Sequence, residues 1–421
     1  MSLRKNSKKE AAKKKPQKEI MVLFSREGDL DKNRLAVTDC FGLEAAESGN
    51  SVVIGNENCD VSISILLPSM GKDEKKFIES QKSAVCGFFS KIEDCNEDIK
   101  INLCHHIQQT RAYIYIEVEA KDSLADLEGD VEMVQDIMWD VAEAMEGVLI
   151  VEQGTVALGV VDKESVVILA GDGSSDLDAY FPFVLEENPK FLAECTEKQK
   201  ARRRKNMQYL FDKGIYVCEL PLNEDEDTAV IRGKEEVVRR ALGLMTVALY
   251  SESMLNPEDN LRVEEAREFI DQVKDSYGIE NLEEILSPDE LAYIRNDNPD
   301  EMTKIQYSWQ YENLYVMEWV LGLAEWNDPV EICDVSLMVR NMKEFHSIED
   351  ICAKTTMRSS AEILDKADLI YRMDWAAVDA RIHRMSGPGG LEHGVVQERH
   401  KTLNWMINFG GAAWDDVDTP T

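Results

Sequence analysis

The sequence is short of the features that usually declare a function. No apolar run in its 421 residues approaches the ~18–20 that a membrane span needs, so no spanning helix is expected. No apolar signal-peptide stretch follows the basic start "MSLRKNSKKEAAKKKPQK", which leaves export unsupported and the cytoplasm as the expected compartment. There is no H-E-x-x-H, and no serine sits in G-x-S-x-G. The glycine-containing stretch "AGDGSSD" follows a strand pattern without opening a helix and reads as a turn, not a phosphate cradle. Nine cysteines (Cys40, Cys59, Cys86, Cys95, Cys104, Cys195, Cys218, Cys333 and Cys352) form no C-x-x-C pair and sit mostly in apolar runs. Reduced, partly buried thiols are expected, with no disulfide framework, no zinc site and no cofactor.

Positive charge is also scarce. The chain has 47 Lys and Arg against 81 Asp and Glu, a net charge of −34. Eight of those bases lie in residues 1–18 against Glu10 alone, so the remainder carries −41. A body this acidic repels nucleic acid and anionic membranes and attracts basic partners at long range. Nucleic acid is expected only through the tail, since "RRRK" at 202–205 is the one later stretch of its character.

What is present is a two-part pattern of apolar periodicity. Residues 1–19 lack any period and are expected to be a disordered basic tail. Residues 20–190 read as an α+β domain. "VSISILL" alternates as a strand, "KDEKKFIESQKSAVCGFFSKIE" has helical spacing, and "IKINLCHH" and "AYIYIEVE" read as two strands. "DVEMVQDIMWDVAEAMEG" is a second helix, and "VLIVEQ", "TVALGVV" and "SVVILA" are further strands. The order over 61–152 is β-α-β-β-α-β, the ferredoxin-like split βαβ, an order that implies no particular activity.

From 195 to 421 strands almost vanish, apart from the extended "GIYVCELP" at 214–221. Helices are expected over 196–213, 233–254, 261–277, 288–295, 302–325, 334–345, 347–354, 358–385 and 393–408. Ser287, Pro288 and Glu290 make a helix-start signal: a capping side chain, a proline at the first turn and a reciprocal carboxylate.

The candidate site lies in "RSSAEILDKADLIYRMDWAAVDARIHR". Arg358, Asp365, Arg372 and Asp379 recur every seven residues within one narrow arc, and Asp368, Trp375 and His383 complete the stripe. Apolar residues cover the far side, and a solvated face would carry Lys and Glu between these charges where only Lys366 does so, so the charges are expected to be enclosed. Glu312 stands in an apolar face, and Glu398, Arg399, His400, Asn404 and Trp405 crowd polar groups beside tryptophan. One network joining Arg372, Arg399 and Glu312 is expected. These residues, with Glu362, suit charge pairs that fix helix register. Alternatively Asp365, Asp368, Glu398 and His400 line a pocket, with His400 as acid or base of a hydrolase-type enzyme. The tryptophans Trp309, Trp319, Trp375 and Trp405 are core first.

At these blocks, with "GVVQERHKTLNWMI" and "WDDVDTPT", the chain resembles an uncharacterised bacterial family, domain of unknown function 4272. "RRKNMQYLFDKGIYVCELP", "IRGKEEVVRRALGLMTVALYSE" and "YSWQYENLYVMEWVLGLAEW" extend the resemblance to about 200–421. It implies a helical domain and a bacterial source, and no activity. The positions it carries over are Arg358, Glu362, Asp365, Asp368, Arg372, Trp375, Arg381, Glu398, Arg399, His400, Asn404, Trp405, Trp414, Asp415 and Asp416. Pro420 departs from it, standing where an acidic residue is expected. The sequence leans away from an enzyme and towards a cytoplasmic module that binds another, basic protein, one version being an immunity-type neutraliser.

Overall fold

The computed structural model describes residues 18–42, 49–55, 59–121, 127–183, 185, 192–193, 195–218, 220–255 and 261–421. The chain divides into two compact units, Met1–Phe183 and Val184–Thr421.

The first unit is a seven-stranded sheet of β1 (Lys18–Ser25), β2 (Ser51–Gly55), β3 (Cys59–Leu66), β4 (Ala112–Ala120), β5 (Val148–Val151), β6 (Val156–Val161) and β7 (Glu164–Ala170). Their order is β2-β3-β4-β1-β5-β6-β7, with every neighbouring pair antiparallel. Helices α1 (Leu30–Cys40), α2 (Lys72–Phe89), α3 (Glu97–Gln109) and α4 (Leu127–Ala144) complete the unit. The split βαβ is present, but on other segments than the sequence suggests. It runs β1-α1-β3-β4-α4-β5, in sheet order β3-β4-β1-β5, with β2, the α2–α3 pair and the β6–β7 hairpin added. Met21, Leu23, Ile63, Ile65, Ile114 and Ile116 alternate along neighbouring strands onto one face, where Val37 of α1 and Val134, Met138 and Val141 of α4 cover them.

Two expectations are corrected here. Lys18 and Glu19 are strand, not tail: Lys18 pairs Glu119 across β1–β4, and its ammonium lies 2.9 Å from both Glu117 and Glu119. The rest of the expected tail, residues 1–17, lies outside the described residues. "IKINLCHH" is helix α3, not a strand. Asn96 caps it by accepting from Asp98 N and Ile99 N, and every residue from Ile99 to Ile107 is buried. A helix enclosed on all sides has no polar stripe, so its periodicity cannot be told from that of a buried strand. Lys82 of α2 ends it, its buried ammonium donating to the carbonyls of Gln108 (3.1 Å) and Thr110 (2.7 Å). His106 is held between the Tyr180 hydroxyl (2.7 Å) and the Glu146 carbonyl (2.8 Å), and burial pushes its pKa down to about 4.

The second unit is helical: α5 (Glu197–Asp212), α6 (Lys234–Leu255), α7 (Val263–Tyr277), α8 (Pro288–Arg295), α9 (Glu301–Ser308), α10 (Gln310–Val320), α11 (Val335–Lys343), α12 (Ile348–Lys354), α13 (Ser360–Ile382) and α14 (His393–Met406). α6 and α10 are apolar around most of their circumference and are central. α7 instead buries only the stripe Ala266, Ile270, Val273 and Tyr277. The expected start of α8 is as read: Ser287 Oγ accepts from Glu290 N while Glu290 accepts from Ser287 N, with Pro288 in the first turn.

The single helix expected over 302–325 is two. Trp309 N bonds the Tyr307 carbonyl instead of the one four residues back, which tightens the turn and separates α9 from α10. α10 ends at Val320 because Gly322 takes a positive φ of 76° against the Thr356 carbonyl. "GIYVCELP" is not a strand in its described residues, although Ile215, Val217 and Leu220 are buried.

One close approach fixes α6 in place. A Cβ on Gly243 would stand 2.0 Å from the Ile285 carbonyl oxygen, so backbone meets backbone there. Gly243→Ala is expected to destabilise the helical unit by about 2–3 kcal/mol, read by urea unfolding. A wild-type midpoint in this variant would show that the approach is not tight.

Candidate functional site: buried charge in the helical unit

Helix α13 carries the centre of the site. Its Asp368 and Arg372, one turn apart, form a two-pronged pair, Nε to Oδ2 at 3.0 Å and Nη2 to Oδ1 at 2.9 Å. They are 1% and 0% exposed. Asn206 of α5 donates to Asp368 Oδ2 and to the Asp365 carbonyl, both at 2.9 Å, so the pair also fixes α5 against α13. Lys205 closes the edge on the Asp365 carboxylate at 2.8 Å, and Arg202 turns inward onto the carbonyls of Asn223 and Glu224. "RRRK" therefore spends Arg202 and Lys205 inside its own unit.

A second pair joins α13 to α14. His400 Nδ1 lies 2.7 Å from Asp374 Oδ2, with the two residues 1% and 2% exposed. Asn404 Nδ2 donates to the Asp418 carbonyl (2.9 Å) and meets His400 Nε2 at 3.1 Å. An amide nitrogen has only hydrogens to offer, so Nε2 accepts and the ring proton sits on Nδ1, facing Asp374. Both ring nitrogens are used, and neither faces solvent.

The third pair joins α10 to α14. Arg399 Nε donates to Glu312 Oε2 at 3.0 Å and Nη1 to the Asn327 carbonyl at 2.9 Å, with the guanidinium stacked 4.2 Å from the centre of the Tyr315 ring. Glu312 Oε1 accepts from Cys333 N. Arg372 takes no part, so the expected network of Arg372, Arg399 and Glu312 is two separate pairs. Asp368, four residues away on the same helix, takes Nε and Nη2 of Arg372, whose Nη1 faces the Met207 sulfur at 3.7 Å. Glu398 accepts from Asn313 Nδ2 at 2.6 Å, and burial holds its carboxyl above the usual range.

The remaining stripe residues are less enclosed than their spacing suggests. Arg358 precedes α13, donates to the Trp319 carbonyl at 2.9 Å and lies over the Trp319 ring, tying the end of α10 to the start of α13. Glu362 makes the capping box with Ser359, and these hydrogen bonds lower its pKa. Asp365 and Asp379 are half-buried, Asp379 beside His383 at 3.5 Å. Trp375 is half-buried, edge-on to Tyr216, whereas Trp405 is buried, edge-on to Trp414 with Arg232 over it.

Sequence reasoning missed three participants. Asp374 lies off the seven-residue stripe. Arg240 holds Glu290 through Nη2 at 2.7 and 2.6 Å, which gives the capping carboxylate of α8 a second role. Glu318, in α10, is fully buried, accepts from Asn341 Nδ2 at 2.8 Å and leaves Oε1 without a hydrogen-bond partner among the described residues; burial raises its pKa to about 8. A carboxylate inside an apolar helix was the available signal, and it drew attention only to Glu312. Among the described residues no disulfide is formed, and no group of three or more His, Cys, Asp or Glu is placed to hold a metal.

This geometry defines a class: an α+β chain whose helical unit is tied together by buried ion pairs. Residues 202–417 match the family described as Domain of unknown function (DUF4272), and the chain belongs to that family. No curated protein and no solved structure matches the chain. No described helix is long and apolar enough to cross a membrane.

Proposed function

We propose that the chain is a non-enzymatic, cytoplasmic binding protein whose partner is another protein of basic charge. The observation that carries this reading is the closure of the charge cluster. Asp368, Arg372, Asp374 and His400 are at most 2% exposed, and each is bonded to protein. A hydrolase with His400 as its acid or base needs a ring nitrogen that a substrate can reach, and both His400 nitrogens are enclosed and bonded to protein. Structural ion pairs of this kind hold register without catalysing anything.

Charge supplies the other half of the argument. Outside residues 1–18 the chain carries −41, a field that steers a basic macromolecule into contact and weakens with salt. Neutralisation of a basic toxin, an immunity-type role, is one concrete form of this function. The test is capture on the immobilised full chain from an extract of its own source cell. A basic protein retained at low salt and released at about 0.5 M salt is expected. Failure to retain any such protein would reject the reading.

A further inference from the structure

We infer that a cavity between α6, α9–α10 and the start of α11 is the point where a basic protein partner anchors a lysine or arginine side chain. The inference rests on the protein-binding reading and adds a location and a recognition chemistry to it. The cavity, of about 470 Å³, has walls of Leu255, Trp309, Tyr311 and Ile332, with Glu252 and Glu312 as its carboxylates. That volume is in the ordinary range for binding pockets, ~300–1,000 Å³.

The two carboxylates differ. Glu312, at the back, is saturated by Arg399 and Cys333 N. Glu252 is exposed, and among the described residues its one hydrogen-bond donor is neutral, the Tyr311 hydroxyl at 2.5 Å. Burial and Glu252 itself push the Tyr311 phenol pKa upward, so the phenol stays a donor, and among the described residues no cation pairs with the Glu252 carboxylate. Among the described residues no lysine or arginine lines the cavity. A carboxylate beside aromatic walls suits a cation on an apolar stem: the head pairs with Glu252 while the methylenes lie along the rings.

The surroundings extend the fit beyond one side chain. Met302 and Ile305 of α9 and Trp309 at its C-terminal cap follow at three- and four-residue steps, and Met302 is 74% and Ile332 64% exposed. Trp309 is backed by α14, where a Cβ on Gly394 would come within 3.0 Å of its ring. The ring is therefore braced from behind while its half-buried face lines the cavity. The exposed carboxylates Glu331 and Asp334 bracket the Ile332–Cys333 wall in sequence. An apolar stripe leading to the Glu252 carboxylate, with acid beside it, matches a segment that alternates apolar and basic residues.

Calorimetric titration of the full chain with a short Lys/Leu peptide, and with the same peptide carrying Glu for Lys, tests this. Binding of the Lys/Leu peptide alone is expected, weakened about tenfold by Glu252→Gln and by Ile332→Ser. Glu264→Gln, which removes the same charge from exposed α7, is expected to leave it unchanged. Both test positions are exposed, so the melting temperature reports that the variants are folded. No binding of the Lys/Leu peptide, equal binding of the two peptides, or equal loss in Glu252→Gln and Glu264→Gln would overturn the assignment. A salt-released partner captured as well by Glu252→Gln as by wild type would also overturn it, while leaving the protein-binding reading intact. Capture of nothing by the wild type would reject that reading itself.

Discussion

Asp368→Asn will lower the stability of the helical unit by about 3–5 kcal/mol, because it leaves the Arg372 guanidinium charged, enclosed and without its counter-ion. For a unit of this size the midpoint of the helical transition should fall by on the order of 10 °C. The interaction is sharply defined: two hydrogen bonds of 2.9 and 3.0 Å between groups no more than 1% exposed. Breaking a buried pair from one side differs from removing it whole. The double variant Asp368→Leu/Arg372→Met fills the same space with apolar atoms and should lie much closer to wild type than either single change. Urea unfolding of the four proteins closes the cycle. If Asp368→Asn melts with the wild type, the pair contributes nothing to the scaffold.

Glu318→Gln will make the protein more stable at pH 8 and leave it nearly unchanged at pH 4.5. The folded-state pKa of Glu318 is raised from 4.5 to about 8, first by burial, with Asn341 opposing. The sign follows from proton uptake on folding. Below pH 4.5 both states are protonated and the group costs nothing. Between 4.5 and about 8 the unfolded chain has released its proton while the fold retains it, so stability falls as pH rises. Above about 8 the loss is complete, roughly 3–5 kcal/mol for a shift of this size. Glutamine has the same shape and no proton to lose, so the difference between variant and wild type should open across that window. Parallel stability curves from pH 4.5 to 9 would show that Glu318 ionises in the fold without penalty.

The helical unit could be read from sequence largely because its helices are punctuated. Ser287 with Glu290 and Ser359 with Glu362 cap by the reciprocal pattern that the residue types advertise, and α13 and α14 lie where the periodicity puts them. The sheet unit was harder. β1 and α1 mix charge and apolar residues without a clean period, and α3 is buried on every side, so neither period nor polarity separates it from a strand. In the candidate site, the crowding around His400 and Arg399 predicts buried polar contacts, whereas Arg372 is expected with Arg399 and Glu312 although its four-residue spacing from Asp368 suits the in-helix pair that forms. The partners across helices depend on packing that no local spacing encodes. Asp374 meets His400 from 26 residues away, and Glu312 meets Arg399 from 87. The cavity beside Glu252 also depends on the break at Trp309, where no proline or glycine marks the sequence.

On the proposed reading, the charges of α13 and α14 support the structure while the protein acts through its surface. The most direct test measures stability and partner capture together in Asp368→Leu/Arg372→Met. A cooperative helical-unit transition within a few degrees of wild type and undiminished capture of the salt-released basic partner are expected. A variant that keeps its fold and loses that partner would contradict that reading, and would make the buried pair part of the functional site.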